Sequence, residues 1–266
     1  MRQGIMCTVG VLVAAMAASA GASTIYSTGF ESPAINPGTL AGQDGWVNGS
    51  GAGVSQGVSG NFPRTGSQSL AWENGSTAAS FYSVRRAFDG QAGAITAATP
   101  LEMSVWMYIE QGSQPNRLYG IYATNSGTAT LGSTTLGMTI SGDGSVRAGV
   151  NWSQTYSGTA LHTDASLVGS WIKTVLRYDG VGGSASIYNS SNALVWSTSF
   201  GAVTLTNANL GGVNSWNMNL GTDYFALTER DGRAFMDDMM VRVVPTPAGI
   251  LVIGAGLSVA GVRRRR

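Results

Sequence analysis

From Ser23 to Val243 the chain is a succession of short apolar runs, separated by turn residues at intervals of roughly ten to fifteen residues, with no competing helical period of useful length. That rhythm confines the fold to all-β architectures, because a strand of this length can bury only one face and must be covered by a second sheet. Strands are expected at Thr24 to Phe30, Ser69 to Trp72, Ser80 to Phe88, Leu101 to Glu110, Arg117 to Ala123, Thr135 to Ile140 and Val146 to Trp152. Five more are expected at Trp171 to Tyr178, Ala185 to Asn189, Leu194 to Ser199, Tyr224 to Thr228 and Ala234 to Val243. Within Leu101 to Glu110, Met103, Val105, Met107 and Ile109 share one face, and Ser104, Trp106 and Tyr108 share the other. Both faces are partly apolar, so this strand is expected to be central and covered on both sides, or to line a groove. Asp143-Gly144, Asp179-Gly180 and Asp231-Gly232 read as turns, their aspartates as turn residues rather than ligands. Gly49 to Gly60, Ser126 to Ser133 and Gly201 to Gly212 are rich in Gly, Ser, Thr and Asn and read as surface loops.

Composition narrows the function more than the fold. Asp, Glu, Lys and Arg make up 11% of the chain against about 25% in an average protein, which disfavours long charged helices. Hydrophobic residues at 43% and aromatics at 9% suffice for a core and exceed what a disordered chain carries. One cysteine, Cys7, and one histidine, His162, exclude a zinc site built from several Cys or His ligands. Without Arg2 and Arg263 to Arg266, ten basic residues face fourteen acidic ones, a net charge of about −4, which lacks the basic footprint of nucleic-acid binding. The length suits one sandwich domain.

The two ends read as addresses. Met1-Arg2-Gln3, the apolar stretch Ile5 to Ala18 and the small-x-small pattern Ala20-Gly21-Ala22 form a secretory signal peptide with cleavage after Ala22. Cys7 lies inside the apolar stretch rather than at the cleavage site, which argues against lipidation, and cleavage leaves a chain without cysteine. At the other end, Val244-Pro245-Thr246-Pro247 precedes an apolar run from Ala248 to Val262 and the cluster Arg263-Arg264-Arg265-Arg266. Fifteen residues make about 22 Å of helix, short of a ~30 Å hydrocarbon core, a mismatch that snorkelling arginines reduce. The arginines favour the cytoplasmic side, leaving the body outside. This order of Pro motif, apolar helix and Arg cluster resembles the PEP-CTERM sorting signal of Gram-negative, exopolysaccharide-producing bacteria, with Thr246 where that family usually has Glu. The resemblance implies that an exosortase-type protease recognises the Pro motif, removes the helix and Arg tail, and releases or attaches the body at the cell surface. An ordinary C-terminal membrane anchor is the alternative. The expected organisation is a signal peptide over 1–22, a β-sandwich over 23–243 and a sorting signal over 244–266.

The segment Gly169 to Gly180, in which Trp171 opens a strand and Asp179-Gly180 closes it, followed by Ala185-Ser186-Ile187-Tyr188-Asn189, resembles laminin-G-like, concanavalin A-like jelly rolls. The opening Gly29-Phe30-Glu31 and Leu40 to Trp46 are similar to secreted jelly rolls bearing the same C-terminal signal. The resemblance implies an antiparallel β-sandwich of that superfamily, which includes lectins, laminarinase-like glycosidases and adhesion modules.

The carboxylates do not fall in a catalytic pattern. A retaining glycosidase needs two of them about 5–5.5 Å apart, and the Glu-x-Asp-x-(x)-Glu arrangement of the laminarinase-like enzymes is absent. Asp237-Asp238 are expected to alternate to opposite faces, Glu229 and Asp231 flank a turn, and Glu102 and Glu110 lie some 26 Å apart at ~3.3 Å per residue. His162 has no G-x-S-x-G partner and reads as a loop histidine. Calcium, which takes six to eight oxygen ligands, is better served: Glu31, Asp44, Asp237 and Asp238 could meet where the first and last strands join, or could be solvated, hydrogen-bonding carboxylates. For sugar recognition, the best local group is Trp152 and Tyr156 with Asn151, Ser153 and Gln154, and the next is Trp216; a place in the core is the alternative for each tryptophan. Trp72, Trp106, Trp171 and Trp196 are expected in the core. These features point to a secreted, surface-displayed, non-enzymatic protein that binds or organises extracellular polysaccharide, with a glycan hydrolase and a purely structural coat protein as the other readings.

Overall fold

The computed structural model describes residues 21–50, 56–73, 83–87, 95–113, 117–124, 134–150, 158–201, 217–220 and 233–245. These hold sixteen strands and one 3-10 turn, Ala165–Leu167. The first eight strands are β1 Ser23–Thr28, β2 Gly38–Thr39, β3 Trp46–Ser50, β4 Gln56–Ser59, β5 Ser69–Glu73, β6 Ser83–Ala87, β7 Leu101–Ile109 and β8 Leu118–Thr124. The second eight are β9 Thr134–Ser141, β10 Ser145–Gly149, β11 His162–Thr163, β12 Trp171–Tyr178, β13 Gly183–Tyr188, β14 Leu194–Phe200, β15 Asn217–Leu220 and β16 Arg233–Val243.

Two antiparallel sheets face each other. The nine-stranded sheet runs β14-β13-β12-β7-β16-β5-β4-β2, and the seven-stranded sheet runs β11-β10-β9-β8-β15-β6-β3. The ninth strand, β1, completes the first sheet beside β16. β16 pairs with β7 along one side; on its other side Arg233 to Met236 face β5 and Met239 to Val243 face β1. The last strand is therefore central and meets the first, and a β-bulge at Asp237–Asp238 lies where its neighbour changes.

Alternation decides the core. Met103, Val105, Met107 and Ile109 of β7, Ile172 and Leu176 of β12, and Met236 and Val241 of β16 are buried against Tyr119, Ile121, Met138, Ile140 and Val146 of the other sheet. Trp46, Phe30 and Leu40 are fully buried beside them. The Asp143 turn forms as expected, its carboxylate accepting from Ser141 Oγ at 2.6 Å and Ser145 N at 2.9 Å. Asp179 does the same for Val181 N and Gly182 N, at 2.9 and 2.7 Å.

Several expectations need correction. The stretch Gly49 to Gly60, read as a loop, contains the end of β3 and all of β4, because ladder partners override the weak strand propensity of a glycine-rich run. Strands expected to reach Phe30 and Trp152 end at Thr28 and Gly149. His162 lies on a strand rather than in a loop: β11 pairs with β10, and the imidazole stacks on Trp196 of β14 at 6.0 Å and 17°, joining the edges of the two sheets. The expected strand at Tyr224 to Thr228, the turn at Asp231-Gly232 and both terminal helices lie outside the described residues. No helix among the described residues is long and apolar enough to cross a membrane.

Candidate functional site

The side chains of the nine-stranded sheet that do not enter the core form its outer face, ordered by register. Trp171 of β12, Tyr108 of β7 and Phe235 of β16 pair in one cross-strand row. The next row holds Tyr188, Lys173, Trp106 and Asp237. Directly opposed side chains on antiparallel strands lie close enough for aromatic contact, and the Tyr108 ring is 5.9 Å from Trp171 and 6.4 Å from Phe235.

The connection from β4 to β5 folds over this row. Its Phe62 ring lies 4.3 Å from Tyr108, 5.4 Å from Phe235 and 6.1 Å from Trp171, nearly parallel to the last at 21°. Phe62 nevertheless stays 48% exposed and holds a left-handed φ of 52°, a conformation costly for a bulky residue that persists only where its surroundings impose it. Two residues on, the Arg64 guanidinium sits 3.6 Å above the Trp106 ring, a cation–π contact. Trp106 is therefore buried but lies under Arg64 rather than in the sandwich core. Trp171, also expected in the core, is half-buried on the outer face. Even-numbered β12 side chains point inward, so Trp171 must point out.

Three carboxylates hold this loop in place. The expectation that Asp237 and Asp238 alternate to opposite faces fails, because the bulge gives Asp238 a φ of 46°, tolerable for Asp, and turns both toward the same loop. Asp237 Oδ2 accepts from Arg64 N at 2.8 Å and Thr65 N at 3.1 Å. Asp238 accepts from Arg64 Nη1 at 2.7 Å and Thr65 Oγ1 at 2.8 Å. Glu31 accepts from Ser67 N, Ser67 Oγ and Gln68 N at 2.7–2.9 Å. Gly66, at φ +63°, passes so close to the Glu31 carboxylate that a Cβ there would collide with it. Burial pushes Asp237 up to about 6, against the N–H donors of Thr65, Asp238 and Arg64. Glu31 is held below its usual range, since its hydrogen bonds from Ser67 and Gln68 outweigh a desolvation that opposes ionisation.

The four residues expected to hold calcium thus divide. Glu31, Asp237 and Asp238 converge beside Gly29, whose Cβ position lies 3.6–3.7 Å from all three side chains, at the junction of first and last strands. Their oxygens are engaged by the loop, except Asp237 Oδ1, which accepts from Asp238 N at 2.7 Å. Asp44 lies elsewhere: it accepts from the Tyr26 hydroxyl at 2.7 Å and pairs with Arg86 at 3.5 Å. Burial and Asp44 together push the Tyr26 hydroxyl up to about 12. Among the described residues no group of three His, Cys, Asp or Glu side chains could hold a metal ion. Glu102 is likewise engaged, accepting from Arg242 at 2.6 and 2.9 Å.

The glycan residues expected from sequence, Asn151, Trp152, Gln154, Tyr156 and Trp216, lie outside the described residues, as do Ala20, Thr246, Pro247 and Arg263 to Arg266. Phe62 carries no periodic signal in the sequence. Tyr108 and Trp171 did carry one, in the doubly apolar β7 and the alternation of β12.

No family model matches the chain, and no curated protein matches it. Solved structures do. The CBM2 module of evolved Dit from Lactobacillus casei BL23 phage J-1 aligns at 9% identity over 85% of this chain and 98% of its own, with a TM-score of 0.52. Arcelin-5, a lectin-like defence protein from Phaseolus vulgaris, aligns at 11% identity over 83% and 98%, TM-score 0.51. A protein of unknown function from Shewanella oneidensis MR-1 aligns at 15% identity over 92% and 97%, TM-score 0.50. At these identities the likeness is one of fold: the body is an antiparallel, lectin-like jelly roll.

Proposed function

We propose that this chain is a secreted, surface-displayed protein that binds extracellular polysaccharide on the outer face of its nine-stranded sheet and does no chemistry on it. The observation that carries the reading is the aromatic platform of an exposed Phe62 over half-buried Tyr108 and Trp171, held by an anchored loop. Monomeric proteins expose contiguous apolar surface chiefly where something binds, and aromatic rings suit the apolar faces of sugar rings. A lectin-like defence protein among the structural neighbours is consistent with this use of the fold. The binding reading is favoured over hydrolysis because the carboxylates nearest the platform, Asp237 and Asp238, are committed to Arg64 and Thr65.

Delivery belongs to the same proposal: signal peptidase cleaves after Ala22, and an exosortase-type protease acts at Val244-Pro245-Thr246-Pro247, before which the apolar run and Arg263 to Arg266 hold the chain transiently in the membrane. β16 ends at Val243 and Val244 N donates to Pro100 O at 2.9 Å, so cleavage beyond Val244 would leave the strand and this bond in place.

Sedimentation with insoluble polysaccharides tests the binding. Phe62→Ala or Trp171→Ala should weaken retention about tenfold, roughly the 1.4 kcal/mol of part of one buried aromatic side chain. Released reducing ends that vanish on substituting one carboxylate would replace the proposal with a hydrolase. Absence of retention on every polysaccharide would leave a structural coat protein.

A further inference from the structure

The outer face continues beyond the aromatic platform. Along β12 the outward positions are Trp171, Lys173, Val175 and Arg177, all half-buried, so the stripe runs about 20 Å at ~3.3 Å per residue. Its far end opens into a cavity of about 410 Å³ between β12, β13, β14 and the segment before β7, lined by Arg177, Ser184, Ser199, Asp179, Pro100 and Ala97. Among the described residues the side chains of Lys173 and Arg177 make no hydrogen bond or ion pair; Arg177 acts on Asp179 through its charge, which helps hold that carboxyl low, and the acids around it each commit one carboxylate oxygen to another partner. The Asp179 carboxylate closes its own turn on Val181 N and Gly182 N. Glu102, opposite Arg177 in the ladder, is held by Arg242 at 2.6 Å. A half-buried guanidinium with open donors at the wall of a cavity, and serine hydroxyls beside it, fits the planar or tetrahedral oxygens of an anion.

We propose that Arg177, with Lys173 between it and the platform, forms a subsite for the anionic groups of an acidic polysaccharide, either the carboxylates of uronic acids or sulfate esters. This rests on the reading of the platform as the polysaccharide site and adds the class of polymer. Sugar rings stack at Phe62 and Trp171, while acidic substituents along the same chain reach Lys173 and Arg177. The two cations lie on the outer face of a body whose net charge is about −4, so the attraction is local and depends on ionic strength.

The test uses the full chain with three immobilised probes: polygalacturonate, a sulfated galactan and a neutral β-glucan. The expected result is retention on one or both acidic polymers that weakens at least tenfold in Arg177→Gln and in high salt, about 1.4 kcal/mol. Arg177→Lys should restore much of it, which a merely structural role for Arg177 would not produce, and thermal melts check that both variants fold. Carboxylate and sulfate are separated by which acidic polymer responds. Retention of all three probes, unaffected by Arg177→Gln but lost in Phe62→Ala, would overturn the anionic subsite and leave the platform standing. Retention of none would overturn both.

Discussion

Replacing Asp237 with Asn should change how stability depends on pH. Asp237 is fully buried, and desolvation, reinforced by the charge of Asp238, lifts its pKa from 3.8 to about 6. That shift means the folded state disfavours the ionised form by about 3 kcal/mol. Because the native pKa is the higher one, the folded state holds more protons, and stability falls as pH rises. The contribution is complete below about pH 3.8 and is lost as pH climbs through about 6. Between pH 5 and 8 the remaining loss is about 1.4 kcal/mol, which for a body of this size lowers Tm by about 3–6 °C. Glu31, Asp143, Asp164 and Asp179 are all held below their ordinary values and stay ionised throughout this window, and the difference between the natural chain and Asp237→Asn isolates the Asp237 contribution. Differential scanning calorimetry at matched ionic strength should show this slope in the natural chain and its loss in Asp237→Asn. Absolute Tm is not the readout, since the new amide group would face Asp238 N, which now donates to Asp237 Oδ1 at 2.7 Å. A slope that survives in Asp237→Asn, or a flat profile in the natural chain, would refute the reasoning.

Other outcomes follow from individual contacts. Trp46 is fully buried and its Nε1–H donates to the Tyr26 hydroxyl at 2.9 Å, so Trp46→Ala should cost about 3–5 kcal/mol in denaturant unfolding. Gly120 on β8 leaves no room for a Cβ against the Met138 carbonyl, and Gly120→Ala should cost about 3 kcal/mol by overpacking against backbone. A cation at the junction of Glu31, Asp237 and Asp238 would have to displace the N–H donors of the β4–β5 loop; it would show as a calcium-dependent rise in Tm that Glu31→Gln abolishes, while equal melts in calcium and chelator would retire it. Sorting through the Pro motif predicts an intact mass, for protein taken from the cell surface, that lacks Arg263 to Arg266, and a full-length C-terminus there would reject that route.

Strand existence was legible in the sequence because burial on one face writes a period of two into it. Trp171 to Tyr178 begins and ends where the alternation and the Asp179-Gly180 turn say it should. The doubly apolar β7 likewise announced a central strand with something on its second face. Local pattern is silent on partners, however, and the candidate site is made of partners. β4, within the glycine-rich stretch Gly49 to Gly60, is a strand only because β5 and β2 supply its ladder. Trp106 and Trp171 have the hydrophobicity of core residues and leave the core by parity, which register across three strands decides. Asp237 and Asp238 are adjacent acids that alternation separates, until a bulge at the seam between β5 and β1 turns both toward a loop more than 170 residues away in the chain. The sequence determined which segments extend and where they turn, since those depend on neighbours a few residues apart. Which aromatic rings meet, which carboxylates clamp the loop and which cations stay open along β12 depended on contacts distant in sequence, and only the folded sheet brings those residues together.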